Sequence, residues 1–479
     1  MKALSGISRR RVASAIGFSI LAPEVFASAG SNWDVVVVGA GGAGLSAALS
    51  AAEAGACVLL LEKQPEIGGN TRISGGYFAA VDPKRQRPMG IEDSEALFLR
   101  QLLESGGGRA DPRLCSILVK QASEALRWLE SHGMKFQDTV MELYGSHWPR
   151  VHKPLMPMGE GYIHALSGAA LRRGVVIRTG FRATDILIEG GRAVGIRGRS
   201  DRGNETILAR RGVILASGGF GANRNMVEHY APNLAGLTTD NTPGSTGEML
   251  LVAADIGAEL SGMDAVQCLP GCPPSRTHRV RLHNDVSRFI FIDRRGKRFI
   301  REDERRDVLR DAVLALPERY AYSLIDDDGL RSYNIVFRKE AVIGVETGDA
   351  WRGDTLAQLA QAMGLDPKAL EETVEDYNRG VRAGKDAFGK SPAELRHEIR
   401  KPPFWACYAG MTTHYTMGGI RINEEAQVLD GLGEPIPGLY AAGESTSGVH
   451  GINRMGANGI NDAVVFGRIA GRAAAMRRL

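Results

Sequence analysis

The sequence predicts an α/β protein in which a Rossmann-like dinucleotide-binding domain is interrupted by an inserted α+β capping domain. Three observations predict it. A strand, a glycine turn, a helix and a second strand follow one another over residues 34–62. Two later short strands, near residues 213–218 and 439–444, again run into glycines. Between these returns, residues 249–405 leave room for a separate domain.

Asp34 and the four valines 35–38 form a short β-branched run, which reads as a buried parallel strand. It enters Gly39-Ala40-Gly41-Gly42-Ala43-Gly44, a G-x-G-x-x-G fingerprint. Gly39 permits the tight turn, Gly41 lets backbone approach a pyrophosphate, and Gly44 lets helix pack on strand. Residues 45–54 read as an alanine-rich helix. Its start, with Gly42 and Ala43, offers free N–H groups to a phosphate. Residues 58–61 are the second strand, ending at Glu62 with Lys63 beside it. An acid at that position binds ribose hydroxyls. NAD and FAD share this unit, so the rest of the chain must decide between them.

Residues 94–105 and 111–132 read as amphipathic helices. Residues 175–178 and 186–188 read as strands, with a hairpin turn at Gly190-Gly191. Residues 213–215 are a strand ending in Ala216, Ser217 and Gly218, and residues 439–442 are one ending at Gly443-Glu444. Asn458, Gly459 and Ile460 open an apolar helix whose N-terminal dipole favours negative charge.

The closing seventh also carries His414-Tyr-Thr-Met-Gly-Gly and His450-Gly-Ile-Asn-Arg454. With the fingerprint, these motifs resemble the fumarate reductase and succinate dehydrogenase flavoproteins, above all the soluble periplasmic fumarate reductases and the urocanate reductases. The resemblance implies FAD, with Gly69, Asn70, Thr71, Ser74, Gly75 and Gly76 lining the flavin and Glu444 bonding the ribityl chain. Covalent relatives use a histidine near that glycine segment. None lies between Glu62 and Asp82, so non-covalent FAD is expected. Gly296-Lys-Arg-Phe, followed by Arg305-Arg306-Asp307, puts Arg306 on the family's catalytic arginine. The charges around Arg306 read as solvated surface. The implied chemistry is hydride transfer to the β-carbon of an unsaturated acid and proton delivery by Arg306 to the α-carbon. His414 and Arg454 would hold and polarise the carboxylate; the arginine fork suits its two oxygens. His450 reads as structural, and Tyr415 as packing. His152-Lys153-Pro154 reads as a family loop near the flavin or an exposed turn.

The chain departs from that pattern in one region. Leu269, in Gln267-Cys268-Leu269-Pro270, stands where the family places a histidine that grips a second carboxylate. An ungapped count puts Leu282 near the relay glutamate and Asp285 near the relay arginine; a gap of one brings in His283. An apolar residue cannot pair a buried carboxylate. A mono-acid, or a substrate whose far end is neutral, aromatic or differently charged, is therefore expected in place of fumarate. The alternative is a dehydrogenase or oxidase resembling 3-ketosteroid dehydrogenases or aspartate oxidase, with Tyr415 and Tyr77 as available tyrosines.

Ser8, the arginines 9–11, an apolar run over 12–22 and Ala27-Ser28-Ala29 read as a twin-arginine signal over residues 1–29. Eleven apolar residues are too few to span a bilayer. A periplasmic location and no membrane span in the mature chain are expected. Removing the signal takes away three net positive charges of the formal +4, which leaves no case for nucleic acid. An apolar fraction of 43% excludes a disordered chain. The expected layout is a first flavin-domain part at 30–248, the cap at 249–405 and a second flavin-domain part at 406–479. No Cys-x-x-Cys-His occurs, so electrons are expected from a separate c-type cytochrome. No metal site is expected. Cys268 and Cys272 read as small thiols or a disulfide.

Overall fold

The strand Trp33–Val38 is buried along its whole length because it lies in the middle of a parallel sheet. The structure, a computed structural model, describes residues 33–276 and 278–478. The signal read at residues 1–29 lies outside them. The sheet runs in the order 427–429, 435–441, 203–215, 33–38, 58–61, 176–178. Trp33–Val38 pairs parallel with Val58–Leu61 on one side and Gly203–Leu215 on the other. Leu439 to Ala441 then pairs parallel with Val213 to Leu215. The two late glycine-ended strands thus deliver their ends beside the fingerprint, at the carboxyl edge where ligands bind in such sheets.

The helix Gly42–Glu53 begins earlier than residue 45, inside the fingerprint. Gly39 has φ +103°, and a Cβ on Gly44 would lie 1.7 Å from the Gly39 oxygen. Only glycine at 44 allows that close turn. The C-terminal helix Asn458–Met476 crosses Gly42–Glu53 at equally short range: a Cβ on Gly471 would lie 2.2 Å from the Ala47 oxygen. The expected helices appear as Glu95–Ser105, capped by Ser94, and Pro112–Ser131, capped by Asp111. The Gly190-Gly191 turn joins Arg182–Glu189 to Arg192–Ser200.

A second sheet is organised by one long strand, Phe404–Thr416. It pairs with Thr238–Thr239, Val266–Gly271, Tyr320–Ile325 and Ala350–Gly353. Ile290, Leu324, Leu359, Tyr377 and Phe404 form an apolar core of their own beside it. This strand runs through the 405/406 boundary drawn from the sequence, because its first half serves the second core and its last half carries His414. Cys268 is buried, Cys272 is half-buried, and both are free thiols.

Candidate active site

Two helix starts face one cavity. Neither Gly42–Glu53 nor Asn458–Met476 is capped by the side chain of its N-cap residue; Gly42 N–H donates to Thr71 Oγ1 at 3.0 Å and Asn458 N–H to the Met455 oxygen at 3.3 Å, and each helix turns a positive dipole end toward the cavity. One continuous cavity is lined by both helix starts and by Arg306, His414 and Arg454.

Its nucleotide end is built from Gly39, Gly41, Gly42, Ala43, Glu62, Lys63, Gly69, Asn70 and Thr71, with Ser74, Gly75 and Gly76. Ala216, Ser217, Gly218, Glu444, Gly459 and Ile460 complete it. Gly44 and Asn458 do not line the cavity. Gly44 is consumed in helix–strand packing, and the Asn458 amide donates to the Met455 and Gly456 oxygens at 3.3 and 3.0 Å, which ties down its own loop. The Glu62 carboxylate accepts from Ala40 N at 2.9 Å and Gln64 N at 2.8 Å. An ionised carboxylate retains acceptor sites beyond these two. Glu444 accepts from Thr416 N at 3.0 Å, and burial pushes its carboxyl up to about 7.

FAD fits this cradle. The Ser217 hydroxyl is buried without a partner. At Gly218, φ is +80° and an added Cβ would meet nothing within 4 Å, so the backbone there is open to a ligand. Buried polar atoms without partners are rare in finished structures.

Arg306, His414 and Arg454 all line the same cavity. Arg306 opens the helix Arg306–Leu314 and is buried. Its Nη1 donates to Gln267 Oε1 at 3.0 Å and its Nη2 to the Tyr144 oxygen at 2.6 Å. No carboxylate pairs with Arg306 or Arg454 among the described residues. Burial, then the charge of Arg454, lowers the Arg306 guanidinium to about 9. Burial likewise lowers Arg454, which lies over the Tyr415 ring at 4.6 Å.

His414 is oriented by a residue that sequence reading missed. Its Nδ1 lies 2.8 Å from Asp240 Oδ2, and Arg279 Nη1 reaches the same carboxylate at 2.7 Å. His414, with Arg279 and Arg281, helps hold the Asp240 carboxyl well below the usual range against the opposing effect of burial. Burial in turn lowers His414, so the imidazole is neutral at pH 7. Arg279 and Arg281, both on the cavity wall, were also missed.

The region of departure resolves clearly. Leu269 lines the cavity. Leu282 does not: it is fully buried, and its oxygen accepts from Ser323 Oγ. His283 takes the cavity-facing position, one residue on. Asp285 turns away to cap Val286–Arg288, bonding Ser287 and Arg288. Among the described residues no glutamate bonds Arg306.

Other candidates fall outside the chemistry. His450 faces Asp462 at 3.3 Å and is absent from the cavity wall. The Tyr415 hydroxyl donates to Asp462 at 3.2 Å. His152 is not in an exposed turn: it is buried on the strand Val151–Pro154 between the Phe78 oxygen and Asp82 and does not line the cavity.

A two-return nucleotide fold with this cradle defines a flavoprotein oxidoreductase that binds FAD. The FAD binding domain family matches residues 34–460. A "Fumarate reductase (cytochrome)" from Shewanella frigidimarina is 35% identical over 445 residues, covering 92% of this chain and 77% of that protein. A "Urocanate reductase" from Eggerthella lenta is 37% identical over 459 residues, covering 92% and 74%. The solved open conformation of a flavocytochrome c3 fumarate reductase superposes with a TM-score of 0.75 at 36% identity, covering 93% and 78%. The chain belongs to the fumarate-reductase-type FAD flavoproteins, oxidoreductases that act on carbon–carbon double bonds. No helix among the described residues is long and apolar enough to cross a membrane.

Proposed function

We propose that this chain is an exported reductase of an α,β-unsaturated monocarboxylic acid, with FAD held non-covalently. One observation carries the reading: two buried arginines without carboxylate partners, Arg306 and Arg454, share a cavity with neutral His414. Buried cations without partners are costly, and an incoming carboxylate offsets that cost. Bound FAD would supply the hydride to the β-carbon. Arg454 and His414 hold the substrate carboxylate and draw charge onto it as the double bond is reduced. Arg306 gives a proton to the α-carbon. A guanidinium lowered to about 9 is a far better acid than a free one.

The residues 8–29 pattern supports export, and the absence of Cys-x-x-Cys-His supports a separate haem protein as electron donor. A cytochrome-linked relative is in keeping with that donor. The test is anaerobic: dithionite-reduced holoenzyme is mixed with acrylate, crotonate and fumarate, and flavin reoxidation is followed near 450 nm. Reoxidation by a monocarboxylate, with fumarate slower, supports the reading. If no acid reoxidises the flavin, the reading fails. Replacing Arg9 and Arg10 by lysine should hold the protein in the cytoplasm on fractionation.

A further inference from the structure

We propose that the cavity wall built by residues 279–284 receives an uncharged, flat ring with a hydrogen-bonding edge, so that the substrate is an aryl- or azolyl-acrylate monoanion. This inference rests on the reductase reading above and names its substrate class.

Charge is the first argument. Arg279 and Arg281 are the cations nearest this wall, and each is already neutralised. Arg279 pairs with Asp240, and Arg281 takes both oxygens of Glu340. The carboxylate end keeps its two unpaired arginines, Arg306 and Arg454. A second carboxylate would have to strip a buried cation from its partner and leave that partner unpaired. The cavity thus offers two unpaired cations to one anion and none to a second.

Shape is the second. Phe337 lies on the cavity wall with the Arg281 guanidinium stacked 4.0 Å from its ring centre, and Leu269 faces the same cavity. Flat guanidinium and aromatic faces favour a flat guest.

Hydrogen bonding is the third. His283 is 2% exposed, lines the cavity, and its Nδ1 has no partner. With Nδ1 unbound, nothing in the protein fixes its tautomer, so the other ring nitrogen can donate or accept. The Asn284 Nδ2 is also buried without a partner. Both sit on the wall next to Tyr144, whose ring meets His283 at 6.0 Å and whose oxygen holds Arg306. The ring-reading groups therefore border the proton-delivering one.

The test uses reduced holoenzyme with acrylate, fumarate, cinnamate, 4-hydroxycinnamate and 3-(imidazol-4-yl)acrylate. The ring acids are expected to exceed acrylate in kcat/KM by at least about 10-fold, with the polar ring acids above cinnamate. His283→Leu should lower the ratio of polar-ring acid to cinnamate by about 10–100-fold, expressed in KM. Flavin absorbance reports whether the variant still folds; if it does not, Asn284→Ala takes its place with the same expected direction. Acrylate or fumarate used as well as the ring acids would overturn the inference while leaving the reductase reading standing. An unchanged ratio in a flavin-loaded variant would overturn it as well. Failure of every acid would remove both.

Discussion

Asp240 and His414 are 174 residues apart in sequence and meet at 2.8 Å through Nδ1 of the imidazole. A carboxylate can only accept, so Nδ1 carries the proton of the neutral ring and Nε2 presents a lone pair. A substrate carboxylate cannot be held by a lone pair. His414 must take up a proton as the anion binds.

That uptake gives KM a pH dependence of known sign. Burial holds the free-enzyme His414 below its ordinary value near 6.5, and a bound anion raises it. Between those two values, apparent KM is expected to rise with pH by up to about tenfold per unit. Steady-state assays from pH 5.5 to 8.5 measure it. A KM that is flat over the range would show that the clamp needs no proton.

Asp240 acts through His414 and is a positioning residue. Asp240→Asn keeps the volume but frees the imidazole tautomer and leaves Arg279 without its pair. A loss of about 10²–10³ in kcat/KM is expected, the scale of one misplaced charge-stabilising donor. Flavin content should stay at wild-type level, and the pH profile of KM should shift. An unshifted profile would leave Asp240 with a structural role only.

Arg306→Lys tests proton delivery. Lysine keeps a charge but cannot span Gln267 and the Tyr144 oxygen together. Turnover should fall by about 10²–10⁴, the usual worth of a positioned acid, with FAD still bound. Single-turnover reoxidation reads this directly, and near-normal turnover would remove Arg306 from the chemistry.

Stability carries a pH signal from Glu142, next to the cavity-lining Leu143 and Tyr144. Burial, then the neighbouring Glu394 carboxyl, pushes the Glu142 carboxyl upward. A raised folded-state value means stability is full below the unfolded value near 4.3 and is lost as pH rises through the folded one. Glu142→Gln cannot ionise, so its Tm relative to wild type should climb between pH 5 and 9. Each unit of upward shift is worth about 1.4 kcal/mol. A constant Tm difference across that range would show that Glu142 is already charged.

The βαβ unit and the two returns were legible because they rest on local patterns: glycines at fixed spacing and short apolar runs. Arg306, His414 and Arg454 were legible through motifs. Asp240 was not, because parallel pairing of Thr238 and Thr239 with Thr412 and Thr413 brings it to His414, and no local spacing records such a pairing. The choice between Leu282 and His283 did have a signal. Arg279-Val-Arg-Leu-His283 alternates polar and apolar residues, the period of an extended segment. Val280 and Leu282 enter the core, while 279, 281 and 283 reach the cavity. A count from a distant glycine set that alternation aside.

The strand Phe404–Thr416 is bound along its length by four others, whereas residues 279–284 belong to no strand or helix. Substitutions on the strand that bears His414 disturb many partners at once. Substitutions at His283 and Asn284, whose side chains keep unpartnered nitrogens, disturb fewer. The fold thereby separates a part that must stay fixed for reduction to occur from a part that can drift and change what is reduced. New substrates can be gained by altering a handful of positions without relearning the reaction.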